Sequence, residues 1–317
     1  MTLAQDTRLK HNASHLMDEP LFSVVMPVYN HAAFLRQAVE SVRVQTFANW
    51  QLVAVDDGSS DDSGKLLDAL AQTDSRIVTI HQDNAGPASA RNRGVSAARG
   101  QWIAFLDSDD AWYPEALQHY AALIEKTPEA RFVYGYWNRM DGKKAPPTAL
   151  KYQQRPQGFV DLFQHVFIGS SCVCIQRQLL LDAGGFDAKL PPVEDYDLFL
   201  RLSMKTRLHP TGQATGIRRR HEGNISRDCG QGRLKEAALL ERYANDPASA
   251  ASLTPQIIQG RLGRAFYAAG RKFCRDACYR QAISPLKQAL AYRSNYKAAG
   301  LLLLSRMMST LQRRPPG

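Results

Sequence analysis

The sequence predicts an α/β fold, with a mostly parallel sheet flanked by helices, followed by an α-helical C-terminal region. The first observation is that short apolar runs alternate with helix-length amphipathic segments over roughly the first hundred residues. This alternation is typical of βα units on a parallel sheet. The second is that only helical periodicity is present after residue 229. We therefore expect a disordered leader at 1–19, an α/β domain at 20–228 and a basic helical region at 229–317.

The first elements of the α/β domain follow one another in regular order. Strands are expected where short runs of β-branched and apolar residues end at Pro, Gly or acidic residues. Helices are expected where apolar residues recur at three- and four-residue intervals. The strands are predicted at 22–28, 51–55, 76–81 and 102–106, with helices at 33–45 and 64–71 and a small-residue helix after 84–94.

The second half of this domain is less regular. A helix is predicted from beyond Pro114 to Lys126. Residues 138–157 are rich in Lys, Pro and Gln, so we expect an exposed loop there, of the kind that often covers a binding site. The remaining elements are predicted as strands at 131–134 and 171–176, and as helices at 158–167, 178–183 and from 194 onward.

Four helices are predicted in the C-terminal region, at 233–243, 255–271, 273–292 and 294–311. The segment 282–291, followed by Asn295, is similar to part of a tetratricopeptide hairpin. A single copy cannot form a solenoid, because each unit needs neighbours to bury its apolar face. We therefore expect these helices to pack on the preceding domain or on a partner.

The charge of the chain is concentrated in its last third. The formal net charge of the 317 residues is +10, yet residues 218–317 hold 19 basic and 6 acidic side chains, a difference of +13. Such a region would suit an anionic membrane surface, a charged substrate or nucleic acid, although a set of solvated helix faces is an equally good explanation.

The cysteines and apolar runs indicate a location in the cell. Five cysteines are an odd number and include no CxxC pair, so a zinc site or a disulfide framework is not expected. The sequence shows no signal peptide and no apolar run of membrane-spanning length. We expect a cytoplasmic protein, peripheral at the inner face of the membrane.

Polar clusters follow three of the predicted strands at their carboxyl ends. These clusters are Tyr29-Asn30, Asp56-Asp57 and Asp107-Ser108-Asp109. Ligands of open parallel sheets bind outside the carboxyl ends of the strands. Side chains alternate along an extended chain, so Asp107 and Asp109 should point the same way and repel each other unless a cation lies between them. Oxygen ligands favour Mg²⁺ or Mn²⁺, which in turn favours a diphosphate. An acidic turn that caps the next helix is the alternative.

Six motifs resemble those of family 2 glycosyltransferases in their order and spacing. They lie at 23–30, 55–61, 84–92, 105–110, 184–187 and 194–201, and the similarity extends over about residues 20–225. The resemblance implies a GT-A fold, a nucleotide-diphospho-sugar donor and inversion at the anomeric carbon. It also implies a nucleotide-sugar site that includes Pro27, Tyr29, Asn30, Asp57, Arg91, Asp107 and Ser108.

Several of these residues have a second interpretation. Tyr29 can stack on a base, or can cover the sheet edge. By resemblance Asp57 would contact the base, commonly uracil, but it could instead cap a helix. Arg91 can bind a diphosphate in bidentate fashion, or form a surface ion pair.

The resemblance also implies a catalytic base and a metal site. Asp195 would be the base, whereas a carboxylate at a helix start is also explained by the helix dipole. Asp109 and Asp107 would hold the metal, and His221 would be a third ligand, since imidazole is an acceptable partner for Mn²⁺. A surface histidine in a basic run is the alternative for His221.

The sequence therefore predicts a metal-dependent inverting glycosyltransferase of hexosyltransferase type. It would move a sugar, most commonly UDP-linked, to a hydroxyl of a saccharide or lipid-linked acceptor in bacterial surface polysaccharide or glycolipid synthesis. A sugar nucleotidylyltransferase is one alternative, but it needs a Gly-rich, Lys- or Arg-bearing loop after the first strand, and 28–31 is no such loop. A nucleic-acid-binding or scaffold protein is the other. No recognised nucleic-acid motif is present, so no nucleic-acid partner is expected.

Overall fold

The computed structural model describes residues 19–140, 150–219, 221 and 230–311. The predicted leader at 1–19 and the centre of the predicted loop at 138–157 lie almost entirely outside these residues. Within them, a mixed sheet is flanked by helices and followed by C-terminal helices, as the predicted fold class requires.

Eight strands form one sheet in the order β3-β2-β1-β4-β7-β6-β8-β5. Their bounds are β1 Phe22–Val28, β2 Trp50–Asp56, β3 Ile77–His81, β4 Trp102–Phe105, β5 Ala111–Trp112, β6 Phe132–Arg139, β7 Val173–Gln176 and β8 Leu208–Arg218. The β3-β2-β1-β4 half is parallel, as predicted. The other half is mixed, because β7 runs antiparallel to both β4 and β6.

Helices account for most of the remaining described residues. They are α1 Ala32–Arg43, α2 Ser63–Ala71, α3 Pro87–Ala97, α4 Ala116–Lys126, α5 Phe159–Gln164, α6 Arg177–Asp182, α7 Glu194–Ser203, α8 Gly230–Asn245, α9 Pro247–Ala250, α10 Pro255–Arg275, α11 Tyr279–Tyr292 and α12 Tyr296–Leu311. A 3₁₀ turn at Ser170–Cys172 precedes β7.

β1 and β2, in the parallel half of the sheet, are largely apolar and covered on both faces. All seven residues of β2 are buried, and six of the seven in β1 are buried. Val39 of α1 and Leu67 of α2 pack with β1 and β2 in one continuous core. Strands buried on both faces read as uninterrupted apolar runs, which is why these elements were predictable from the sequence.

Several elements differ from the prediction, and among them the short β5 and α9 were not predicted. The strand β8 was not predicted, because Pro210, Gly212 and Gly216 interrupt its apolar pattern. The strand predicted at 171–176 begins instead with the 3₁₀ turn. The helix predicted at 273–292 is broken, because Ala277 adopts a left-handed conformation (φ 56°) and the Cys278 N–H bonds to the Phe273 carbonyl. This is a Schellman ending with Ala where Gly is usual, so the sequence carries no signal for it.

The chain divides into two compact units that are interleaved in sequence. The first comprises residues 1–157, 167–188 and 205–219, and it contains the whole sheet. The second comprises residues 158–166, 189–204 and 220–317, and its described part is helical. The domain boundary predicted at 228/229 stays a prediction.

The second unit is held together by a buried acid on α7. Asp197 is buried and accepts a hydrogen bond from Arg201 Nε at 2.8 Å and another from the Tyr243 hydroxyl at 3.0 Å. Arg242 also pairs with the same carboxylate. Because Tyr243 and Arg242 lie on α8, this acid joins α7 to α8. Within the same unit, Gly270 lets α10 approach Leu286 of α11 closely, since a Cβ there would lie 2.5 Å from a leucine carbon.

Candidate active site

The first unit brings the predicted polar clusters together at the carboxyl ends of β1, β2 and β4. Pro27 near the end of β1 lies opposite Val55 in the parallel register. Tyr29 follows with 47% of its surface exposed, so its ring is free to receive a flat ligand. Asn30 adopts a positive φ of 52°, and its Oδ1 accepts hydrogen bonds from the backbone N–H groups of Ser60 (2.8 Å) and Asp61 (3.3 Å). Asn30 therefore fixes the loop after β2 against the loop after β1.

The turn after β2 needs both Asp56 and a glycine. Asp56 Oδ1 accepts a hydrogen bond from the Ser59 N–H at 3.1 Å. Gly58 has a φ of 71°, and a Cβ at that position would lie 2.8 Å from the backbone nitrogen of Asn84. An L side chain would be strained there and would also displace the neighbouring loop.

Asp57 organises the loop at 82–86. Its carboxylate is buried and accepts hydrogen bonds from the N–H groups of Ala85 (2.9 Å) and Gly86 (2.8 Å) and from Gln82 Nε2 (2.7 Å). The sequence did not reveal this role. The predicted contact between Asp57 and a base stays a prediction.

His81 supports the same region from β3. Its Nε2 lies 3.0 Å from Asp68 Oδ1 and its Nδ1 lies 3.1 Å from Asp56 Oδ2. Hydrogen bonds to Asp68 and then to Asp56 raise the pKa of His81 above 6.5, because the protonated ring can donate to both carboxylates.

This raised pKa predicts a pH-dependent stability. The stabilising contribution should be complete below about pH 6.5, the value in the unfolded chain, and should be lost as the pH rises through the folded-state pKa. We expect the melting temperature of the wild type to fall more between pH 6 and pH 9 than that of a His81→Gln variant. Parallel melting curves for the two proteins across that range would contradict this account of His81.

Three carboxylates converge immediately after β4. Asp107, Asp109 and Asp110 each offer an oxygen atom, and these atoms all lie within 4.8 Å of one another. Burial, followed by the charges of Asp107 and Asp109, raises the pKa of Asp110 to about 7. Like charges held this close favour either a shared proton or a bound cation. The sequence predicted Asp107 and Asp109 as a pair at this strand end and gave no role to Asp110; we call residues 107–110 the acidic loop.

Asp107 is held in its charged form by a cation from α3. Arg91 is buried, and its terminal nitrogen lies 2.7 Å from Asp107 Oδ1. Ser170 Oγ donates to Asp107 Oδ2 at 2.8 Å. Burial acts to raise the pKa of Asp107, but the charge and hydrogen bond of Arg91, with the Ser170 hydrogen bond, outweigh it and lower the pKa. Arg91 therefore forms an ion pair in this structure, but a buried one rather than the surface pair of the alternative interpretation, and its contact with a diphosphate stays a prediction.

Ser108 lies in a turn that the Asp110 N–H closes by donating to the Asp107 carbonyl at 3.0 Å, so the side-chain alternation expected of an extended strand does not apply at this position. Ser108 is 1% exposed, and its Oγ lies 2.7 Å from His31 Nδ1. The His31 N–H in turn donates to Ser63 Oγ at 3.0 Å. Ser108 thus joins the acidic loop to the starts of α1 and α2, and its predicted contact with the nucleotide sugar stays a prediction.

Two residues that the sequence did not reveal position the acidic loop. Ser171 Oγ donates to Asp110 Oδ2 at 2.7 Å and accepts from the Asp107 N–H at 3.1 Å. The Arg219 N–H donates to Asp110 Oδ1 at 3.0 Å, and its Nε donates to the Asp109 carbonyl at 3.1 Å. Both residues are far from the loop in sequence, so only the sheet pairing brings them to it.

We expect a Ser171→Ala variant to bind Mn²⁺ about 10- to 100-fold more weakly, as is usual when a group that orients a metal ligand is lost. The measurement is a calorimetric titration with Mn²⁺. Ser203→Ala is a matched control, because Ser203 is also buried and its hydroxyl donates to the Leu200 carbonyl of its own helix at 2.8 Å. An Mn²⁺ affinity unchanged by Ser171→Ala would contradict the positioning role.

The Gly-Gly-Phe-Asp motif is fixed by an asparagine of α3. Asn92 Nδ2 donates to the Phe186 carbonyl at 2.8 Å, and its Oδ1 accepts from the Phe186 N–H at 2.8 Å. Gly185 (φ 68°) leaves room for this contact, since a Cβ there would lie 2.5 Å from Asn92 Oδ1. The Phe186 ring then packs edge-on against Phe105 at 5.2 Å between centroids. This arrangement links two of the sequence motifs directly.

The predicted base and third metal ligand belong to the second unit. Asp195 is half-buried in the first turn of α7, and its Oδ1 accepts a hydrogen bond from the Tyr196 N–H at 2.7 Å. His221 is described, whereas its neighbours at 220 and 222–229 are not. The catalytic role of Asp195 and the metal-ligand role of His221 stay predictions.

Comparison with known sequences decides the family. The sequence model for glycosyl transferase family 2 matches residues 23–184, about half of the chain. The chain belongs to glycosyl transferase family 2. The matched segment contains β1 from its second residue, all of β2 to β4 and the acidic loop, and it ends at Gly184, so the family prediction made from the sequence motifs is confirmed.

Relatives of this family 2 chain include proteins of differing length. An uncharacterized glycosyltransferase of Rickettsia felis is 29% identical over 197 residues, which cover 60% of this chain and 32% of that protein. The chain thus spans about a third of that relative. The UDP-Glc:alpha-D-GlcNAc-diphosphoundecaprenol beta-1,3-glucosyltransferase WfgD of Escherichia coli is 34% identical over 192 residues, covering 59% of this chain and 71% of that protein.

Solved structures share the fold of the family 2 chain. TarS 1-349 of S. aureus, crystallised with UDP-GlcNAc, has a TM-score of 0.69 at 20% identity and covers 90% of this chain and 87% of its own. The mannosyltransferase PcManGT of Pyrobaculum calidifontis, in complex with GDP-Man and Mn²⁺, has a TM-score of 0.59 at 17% identity. The match covers 92% of this chain and 81% of the mannosyltransferase chain. These likenesses confirm the GT-A type fold.

Among the described residues, no helix combines the length and the apolar character needed to cross a membrane.

Proposed function

We propose that this family 2 chain is a metal-dependent inverting glycosyltransferase that moves a hexosyl group from a nucleotide-diphospho-sugar to an acceptor hydroxyl. The observation that carries the proposal is the convergence of Asp107, Asp109 and Asp110 within 4.8 Å after β4. The carboxyl end of a parallel strand is where α/β sheets bind their ligands. Three acids at that position have an obvious use if a cation and a diphosphate bind there.

The donor set of this loop fits Mg²⁺ or Mn²⁺. Carboxylate oxygens are the ligands that hard divalent cations prefer. Burial, and then the charges of Asp107 and Asp109, raise the pKa of Asp110 to about 7, and a cation among these carboxylates would relieve the charge repulsion. Asp109 and Asp107 would hold the ion, with His221 as a third ligand. The ion would supply charge compensation for the diphosphate that leaves with the nucleoside.

The donor would bind along the loops after β1 and β2. The exposed Tyr29 ring is suited to stacking on the base. Asp57 and the loop that it fixes at 82–86 would contact the base, with Pro27, Asn30 and Ser108 shaping the pocket. Arg91 would pair with the diphosphate as well as with Asp107, because a guanidinium presents several donors. We favour UDP as the nucleotide of the donor. The UDP-GlcNAc complex of TarS and the UDP-Glc in the name of the Escherichia coli relative support this choice.

Asp195 would act as the general base. In an inverting transfer, the acceptor hydroxyl attacks the anomeric carbon from the face opposite the leaving diphosphate, and a carboxylate removes its proton. This assignment rests on the motif at 194–201 and on the position of Asp195 in the first turn of α7.

A saccharide or lipid-linked acceptor is supported by one relative. The name of the Escherichia coli protein specifies GlcNAc-diphosphoundecaprenol as its acceptor. We accordingly place the reaction in bacterial surface polysaccharide or glycolipid synthesis, at the cytoplasmic face of the membrane, where nucleotide sugars are made.

Thermal stabilisation by a panel of sugar nucleotides tests the proposed function, since a ligand of the native state raises the melting temperature. A UDP-sugar should stabilise the protein with Mn²⁺ present and have little effect with EDTA. The same UDP-sugar should then be consumed when acceptor sugars are added. Stabilisation by a nucleoside triphosphate plus a sugar phosphate would instead indicate a nucleotidylyltransferase.

A further inference from the structure

The last described helix, α12, carries an apolar stripe that is open to solvent. Tyr296, Leu303, Leu304, Met307 and Leu311 are 81%, 63%, 41%, 58% and 56% exposed. Their spacing of seven, one, three and four residues places them along one side of a helix. Large apolar side chains exposed singly are ordinary, but five along one side form a contiguous patch of the kind that marks an interaction surface. We call these five residues the α12 stripe.

The opposite side of the same helix is already used. Ala298, Leu302 and Ser305 recur at helical spacing and are buried. Cys274 of α10 lies 3.2 Å from Ser305 through its sulfur, so α12 is anchored on the helices before it. The α12 stripe is therefore distinct from the face through which α12 packs on its neighbours.

The charge around the stripe has a single sign. From residue 277 to residue 317 the sequence contains seven Lys or Arg side chains and no Asp or Glu. Those that the structure describes are all exposed: Arg280, Lys287, Arg293, Lys297 and Arg306. Lys297 and Arg306 lie on α12 itself. An apolar strip among basic side chains has the composition of helices that lie in the headgroup layer of a membrane.

We propose that the α12 stripe docks on an anionic lipid surface, with its apolar side chains in the headgroup layer and the surrounding Lys and Arg side chains on lipid phosphates. Charge decides between this occupant and a second copy of the chain. A symmetric contact through the stripe would bring Lys297 and Arg306 of one copy near the same residues of the other, with no acid in residues 277–317 to neutralise them. A lipid surface supplies the missing negative charge.

This proposal is independent of the sugar-transfer reaction, because the stripe lies in the second unit and its binding is measured without substrate. The test is co-sedimentation of the full chain with vesicles of phosphatidylcholine alone or with 30% phosphatidylglycerol. We expect the protein to sediment with the vesicles that contain phosphatidylglycerol and not with those of pure phosphatidylcholine. Leu303→Ser and Met307→Ser should each weaken it by on the order of tenfold, and Lys297→Gln and Arg306→Gln by about fivefold each.

Matched controls distinguish binding through the α12 stripe from nonspecific adsorption to vesicles. Leu181 is 42% exposed in the first unit, and the Lys65 side chain is 87% exposed on α2. Leu181→Ser and Lys65→Gln should bind vesicles like the wild type, and circular dichroism should show all six variants folded. Three outcomes would overturn the proposal: no binding to anionic vesicles, equal binding to neutral ones, or a concentration-dependent dimer that Leu303→Ser abolishes. The last outcome would assign the stripe to a second copy.

Discussion

Replacing Asp195 by Asn is expected to reduce sugar transfer by about 10²–10⁴-fold, the usual contribution of a positioned general base. Asn cannot accept the proton of the acceptor hydroxyl. It does cap a helix almost as well as Asp, so the loss to folding should be small and limited to the charge–dipole interaction. The nucleotide is assigned to other residues, so UDP affinity should remain near that of the wild type. The measurement is transfer rate, melting temperature and UDP affinity on the same protein preparation.

Asp197 provides the contrast on the same helix turn. It is buried and bonded to Arg201, Arg242 and Tyr243, so its role in the structure is to join α7 to α8. Asp197→Asn should lower the melting temperature, because it removes a buried charge from cationic partners. Loss of a general base should therefore lower the transfer rate with little change in melting temperature, whereas loss of a structural acid should lower the melting temperature. If Asp195→Asn transfers sugar at close to the wild-type rate, Asp195 has only its helix-start role and the base is another residue.

Asp109→Asn is expected to abolish the effect of Mn²⁺ on UDP binding. Changing a group that merely orients a metal ligand typically costs about 10- to 100-fold in metal affinity, so changing a ligand should cost at least that. The fold should survive, because Asp109 is only half-buried in its loop. Calorimetric titrations of UDP with Mn²⁺ and with EDTA give the comparison.

Asp62→Asn is the matched control for that variant. Its side chain is 79% exposed before α2 and pairs with the equally exposed Lys65, so the same chemical change there should leave UDP binding as it is. Equal UDP affinity of the wild type in Mn²⁺ and in EDTA would remove the metal from the donor site.

The sequence was sufficient for the parallel half of the fold because burial on two faces leaves an uninterrupted apolar run. β1, β2 and β4 are of this kind, and each was located to within one or two residues. β8 has the opposite character. It is eleven residues long but contains Pro and Gly, and it exists because it pairs with β6 in parallel and with β5 in antiparallel register. Long-range pairing of this type leaves little trace in local pattern.

The candidate site likewise contains residues that could be located from the sequence and residues that only the structure revealed. The sequence placed Asp107, Asp109 and Asp110 at a strand end, and the structure has them there. It could not reveal Ser171 or Arg219, whose hydrogen bonds to the acidic loop cross 61 to 110 residues of sequence. It also gave no sign that both oxygens of Asp57 would bind the loop at 82–86. Residues that hold a site in place are set by tertiary contacts, whereas residues that carry its chemistry are recognisable by type.

The cation site can be located directly by anomalous X-ray diffraction from crystals grown with UDP and Mn²⁺. If the acidic loop clamps the cation against the diphosphate, the manganese peak will lie within coordination distance of the Asp109 carboxylate and of a UDP phosphate oxygen. Asp107 should lie in the same shell or bond to a group that does. Well-ordered UDP with no manganese peak at Asp109, or a peak at a position away from the diphosphate, would contradict the proposed donor site.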